Sequence, residues 1–168
     1  DMSDRLVGLA EKERQITDLL RDEPTRTDVA VCDQLQTIAS RVESEHPDAT
    51  VAVDCSAEVT ARATSNFGQA ITELVTNAIV HNESSSPTVT LTVTRTEGTV
   101  RIDVADTGPR IPEMERNILV GETKQTPLYH GEGLGLWLVK LIVARSDGSI
   151  SITENSPTGN VVTVELSQ

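Results

Sequence analysis

In the run ELVTNAIVHN, residues 73 to 82, Glu73, Asn77 and His81 recur every four residues. That spacing sets three polar side chains on one face of a helix. The other face is apolar, with Phe67, Ala70, Ile71, Leu74, Val75, Ala78 and Ile79. The amide oxygen of Asn77 is a neutral, hard ligand that suits a magnesium ion held between phosphates. A carboxylate one turn away, Glu73, can polarise a nucleophile or hold a water. Taken alone, the stripe is equally the ordinary polar flank of a buried helix.

Two further stretches carry chemistry. ADTGPRIP, residues 105 to 112, directly follows an alternating strand pattern. Asp106 there is either a turn-former or a buried acceptor for the amino hydrogens of adenine, and Gly108 leaves room for a flat base. HGEGLGLWLV, residues 130 to 139, is a glycine-rich turn opening a helix. Gly131, Gly133 and Gly135 let backbone amides approach an anion at a helix N-terminus. The spacing is neither a P-loop nor the dinucleotide fingerprint, and a glycine-rich hinge is the plain alternative.

The surrounding pattern predicts the elements that must position these residues. Residues 3 to 22 read as a helix with a heptad-like seam of Leu6, Leu9, Ile16 and Leu20, ended by Pro24. Residues 28 to 32 read as a strand, and 33 to 45 as a helix with Leu35, Ile38, Ala39 and Val42 on one face. Short strands follow at 50 to 54 and 58 to 63, then the helix 65 to 81. TVTLTVTRT and TVRIDVAD form a hairpin around Glu97-Gly98. Residues 107 to 130 are irregular, with a helical turn or two after Pro112, before a helix from 133 to 146 closed by Gly148 and a last hairpin. The fold class expected is α+β: a two-layer α/β sandwich, its sheet mixed and mostly antiparallel, about three helices on one face, preceded by an N-terminal helix.

With 168 residues the chain is long enough for one domain with a substantial core. Phe, Tyr and Trp occur once each, so that core rests on Val, Leu, Ile and Ala. The net charge of −12 argues against nucleic acid or an anionic membrane as partner. Few lysines and many acids resemble proteins of salt-loving archaea, whose surroundings screen such self-repulsion. Cys32 and Cys55 are expected to be free, small core or edge residues in a reducing compartment. No apolar run reaches the ~18 residues that cross a bilayer. The chain begins at Asp1 without Met, so it is expected to be a piece of a longer protein.

The order ExxxNA, DxGxxIP and GxGLGLxLV, carried by residues 73–78, 106–112 and 131–139, resembles the ATP-binding domain of sensor histidine kinases. That domain belongs to a superfamily shared with gyrase-type, chaperone and mismatch-repair ATPases. The resemblance spans residues 26 to 168. The residues before Pro24 resemble the tail of the second helix of a dimerisation bundle, giving two expected units, 1–24 and 25–168. The resemblance implies ATP and Mg2+ as ligands. It makes Asn77 the magnesium residue and Glu73 the catalytic acid. Asp106 contacts adenine N6 with Gly108 beside the ring, and Gly131, Gly133 and Gly135 wrap the phosphates. His81, Ile111 and Leu134 fall in the same boxes and are expected at the nucleotide, His81 with simple packing as its alternative. Residues 113 to 130 are expected to be a lid.

The activity implied is transfer of the ATP γ-phosphoryl group to a histidine outside these 168 residues. His46, His81 and His130 lie in a turn, in the first box and in the lid, none in an acceptor-like helix. Expected partners are a phosphoacceptor histidine helix of the same or a partner chain, a response regulator, and a second copy through residues 3–22; no nucleic acid is expected. The expected location is cytoplasmic. The sequence departs from the family in three places. Arg110 replaces a second glycine, at a cost on the order of 1 kcal/mol if the turn needs a positive φ. Val80 stands where a basic residue is common. The lid lacks its aromatic box, keeping only Ile118, Leu119 and Leu128. Competing readings are a gyrase-like or chaperone-like ATPase, a serine kinase acting on an anti-sigma partner, and a binding module without catalysis.

Overall fold

The structure is a computed structural model and describes residues 2–21, 23–56, 58–121 and 133–168. Helix α1 (Met2–Arg21) leads into strand β1 (Arg26–Ala30), helix α2 (Val31–Glu45) and strands β2 (Thr50–Asp54) and β3 (Thr60–Thr64). Helix α3 (Phe67–Val80), strands β4 (Thr88–Thr96) and β5 (Thr99–Asp106), and helices α4 (Glu113–Val120) and α5 (Leu134–Arg145) follow. Strands β6 (Ser149–Glu154) and β7 (Asn160–Ser167) complete the chain.

Five strands make one mixed sheet in the order β2-β4-β5-β7-β6. Only β2 and β4 run parallel; the other neighbours are antiparallel. Strands β1 and β3 form a separate antiparallel pair. The expected sandwich is therefore present, with its mixed sheet and N-terminal helix. The β4–β5 turn is at Glu97-Gly98, where both residues take positive φ, 31° and 82°. That is the backbone hand that a tight two-residue hairpin needs.

The core is aliphatic. Leu35, Ile38, Ile71, Leu91, Ile102, Leu134, Leu138 and Ile142 are among its largest fully buried side chains, around the single Phe67. The chain's alternation sets the inner face of β5: Val100, Ile102 and Val104 are buried, and Asp106 is the next residue on that face.

Three sequence expectations need correcting. Val31 and Cys32 begin α2 rather than ending β1. Ala30 at the N-cap offers no side-chain acceptor. Instead the Val31 N–H donates to the Val59 carbonyl (2.9 Å) and the Cys32 N–H to Glu58 Oε1 (3.1 Å). A helix start capped from a distant loop leaves no local signal. Second, Cys32 and Cys55 are not free: they form a disulfide, with Cα atoms 6.0 Å apart. It ties the first turn of α2 to the end of β2, a proximity set by packing rather than by spacing along the chain. Third, the seam expected on α1 splits. Ile16 is buried and Leu9 packs on the core, while Leu6 and Leu20 are exposed.

Candidate functional site

Asp106 ends β5 as the one buried charged residue among the described residues, 6% exposed. One of its oxygens is saturated. Oδ1 accepts from the Gly108 N–H (2.9 Å), the Asn160 N–H (3.1 Å) and the Asn160 side-chain amide (3.2 Å). The other oxygen has no hydrogen-bond partner among the described residues. Asn160, 3% exposed at the start of β7, also donates to the Pro109 carbonyl (2.8 Å) and accepts from the Ile111 N–H (3.1 Å). One side chain thus grips the loop on both sides of Arg110. Arg110 is outside the left-handed region, where the only described residues other than glycine are Glu97 and Asp147. The strain expected from replacing a second glycine there is absent.

On α3 the four-residue stripe is held as its period dictates. Ala70, Ile71, Leu74, Val75 and Ile79 are buried, while Glu73 and Asn77 are half-buried and His81 is exposed at the C-cap. Helix α5 starts at Gly133, whose φ of 81° is left-handed. A Cβ on Gly135 would come within 2.5 Å of Glu73 Oε2, so a larger residue there would push this carboxylate aside.

The boxes line two adjoining cavities. The first, about 320 Å³, is bordered by Asn77, His81, Asp106, Gly108 and Ile111 over an apolar floor of Leu74, Val104 and Val162. The second, about 310 Å³, is bordered by Glu73, Asn77, His81, Gly133, Leu134 and Gly135. Asn77, His81, Glu115 and Leu136 belong to both. Asp106 and Gly133 therefore do not share one cavity; Asn77 stands between theirs. Gly131, and residues 122–130 of the expected lid, lie outside the described residues. The first part of that lid is α4, whose Glu115 and Leu119 reach the first cavity.

The chemistry divides accordingly: a largely apolar pocket in which Asp106 is the buried carboxylate, next to a polar pocket with the Asn77 amide, the acids Glu73 and Glu115, and a glycine-opened helix start. Comparison with known proteins agrees. A profile described as the histidine kinase-, DNA gyrase B- and HSP90-like ATPase matches residues 63–168, more than half of the chain.

The chain belongs to this ATPase family.

Its relatives are sensors. It is 35% identical over 114 residues to the sensory/regulatory protein RpfC of Xanthomonas campestris pv. campestris, covering 61% of this chain and 15% of RpfC. It is 40% identical over 80 residues to the sensor protein kinase CarS of Pseudomonas aeruginosa, covering 46% of this chain and 18% of CarS. The chain thus spans less than a fifth of either relative's length. Among solved structures, full-length ShkA in complex with AMPPNP superposes with a TM-score of 0.77 over 97% of this chain and 36% of that one, at 24% identity. At that identity the likeness establishes the fold. An ATP-binding domain of the histidine kinase type, with a kinase or ATPase role, follows from the family and its relatives.

Two site residues escaped the sequence reading. Asn160 belongs to no box, but it begins the alternation Asn160, Val162, Val164, Leu166, so a polar residue on an inward face was a usable signal. Lys12 comes from α1: its Nζ is 3.4 Å from Glu73 Oε2 and it borders the second cavity. Nothing in its local sequence points there.

Proposed function

We propose that the chain is the catalytic module of a sensor histidine kinase, with residues 25–168 as the ATP-binding unit and 1–24 as the end of a helical acceptor region. It moves the γ-phosphoryl group of ATP to a histidine outside these 168 residues. One observation carries the reading: Asn77 joins an apolar pocket that ends on an unpartnered carboxylate oxygen to a polar pocket opened by Gly133 and Gly135.

In this reading adenine lies over Leu74, Val104 and Val162, beside Gly108. Its amino group donates to the free oxygen of Asp106, which Asn160 holds in place. The phosphates extend past Asn77 to the amides of Gly133 and Gly135, with Gly131 as a further donor; Ile111, Leu134 and His81 complete the walls. The donor set suits Mg2+: an amide and a carboxylate one turn apart supply hard oxygens. Asn77 would hold the ion through its amide oxygen, with Glu73 one turn away beside it. When bound, the ion neutralises phosphate charge. Glu73 orients the attacking imidazole nitrogen, whose bond to phosphorus forms as the bond to the β-phosphate bridging oxygen breaks and ADP leaves. Positioning and charge are most of what this transfer needs. The acceptor helix and a response regulator are the partners this activity requires.

The test is calorimetric titration of the purified chain with Mg-ATP and Mg-GTP in high salt. Saturation by ATP, at least tenfold tighter than by GTP, supports the reading; Asn77→Ala should remove the magnesium dependence. Equal affinity for the two bases, or no saturation at millimolar ATP, contradicts it.

A further inference from the structure

We propose that Lys12 is a phosphate-binding residue of this nucleotide site, contributed by α1 from outside the residues that match the family profile. The proposal rests on the nucleotide reading above and extends it to the terminal phosphate.

The observations are geometric. Lys12 Nζ is 3.4 Å from Glu73 Oε2, and a Cβ on Gly135 would also come within 3.4 Å of it. Lys12 therefore stands where the first turn of α5 meets the polar stripe of α3. It borders the same cavity as Asn77, Gly133 and Gly135, and is the only Lys or Arg among that cavity's described lining residues. The other charged groups there are the carboxylates of Glu73 and Glu115. Apart from the metal ion and the glycine amides, a triphosphate in this pocket would face two carboxylates, and Lys12 is the side chain there that offsets their repulsion. The ammonium has three donors, and Glu73 occupies one of them.

Position and sequence economy point the same way. Helix α1 is anchored beside Lys12 by buried Ile16, by Leu9, and by Gln15 Oε1 accepting from Gln69 Nε2 at 2.6 Å. The chain has only three lysines in 168 residues. One of them is at this cavity, and Val80 occupies the box position where a basic residue was expected. With no Lys or Arg on α3, docking of α1 is what brings a positive side chain to the phosphate end of the site.

An ordinary interhelix ion pair between Lys12 and Glu73 is the competing account, and phosphate dependence separates the two. The experiment titrates the full chain with Mg-ATP and, separately, adenosine, followed by amide NMR, for the unmodified protein, Lys12→Met and Lys12→Arg. Thermal melts of all three check folding. The expected result is a loss of about tenfold or more in Mg-ATP affinity for Lys12→Met, with adenosine affinity changed less than twofold. Lys12→Arg should recover most of the loss. Mg-ATP binding by Lys12→Met as tight as, or tighter than, that of the unmodified chain overturns the proposal, as does an equal loss for adenosine. Failure of the unmodified chain to bind Mg-ATP at all overturns the nucleotide reading itself, a result distinct from either.

Discussion

Asp106 is fixed through one oxygen so that the other can face the pocket, and Asn160 is the residue that does most of the fixing. Asn160→Ala removes two donations and one acceptance at a buried position. Leaving the Ile111 N–H and Pro109 carbonyl without their partner should cost about 1–3 kcal/mol. A thermal melt should fall by several degrees, and the preference for ATP over GTP should narrow in parallel; an unchanged preference would detach Asn160 from base recognition. Gly135→Ala tests the other end. Its Cβ would displace the Glu73 carboxylate, so phosphoryl transfer to an acceptor helix should drop more than Mg-ATP affinity does. Loss of affinity alone, with transfer per bound nucleotide unchanged, would argue against a catalytic Glu73. At this scale the sequence was informative where a residue sits inside a spaced box, as with Glu73, Asn77 and Asp106. It was silent on Lys12, whose partner is 61 positions away in the chain. A single partly solvent-screened pair of this kind contributes on the order of 1 kcal/mol, so the fold exerts little demand for it.

Among the elements, amphipathic period made α2 and α3 readable, the glycines at either end marked α5, and alternation did the same for β4, β5 and β7. What the period could not supply was the start of α2, capped by the Val59 carbonyl and Glu58 carboxylate, or the neighbours of the strands. The parallel β2–β4 pairing joins segments separated by a whole helix, and the β1–β3 pair is a separate sheet. Helix α1 is the element on which the proposed division of the chain turns. Among its described residues Ile16 is buried, with Leu9 and Leu19 packed at the edge of the core. Removing residues 1–24 should cost about 2–4 kcal/mol of buried apolar contact and leave a cooperative unfolding transition. Calorimetry of the 25–168 segment checks this; a broad, non-cooperative melt would mean that α1 belongs to the domain rather than preceding it.

At the scale of the whole molecule the acidic balance dominates. A net charge of −12 on 168 residues means self-repulsion that ions screen over ~10 Å at 0.1 M and ~3 Å at 1 M. The melting temperature should rise between 0.1 and 2 M KCl, and Mg-ATP affinity should hold or improve; a melting temperature that falls with KCl would remove the argument from charge. Among the described residues no helix is long and apolar enough to cross a membrane. The architecture was legible as a class, since helices and alternating strands in this order leave few ways to bury an aliphatic core. Its strand order was not. The account depends on α3, the β5–α4 loop and the start of α5 closing around one nucleotide. Amide chemical-shift mapping with Mg-AMPPNP tests that directly. The account predicts saturable shifts concentrated at residues 73–81, 106–112 and 133–136; saturable shifts elsewhere, with these three segments unmoved, would contradict it.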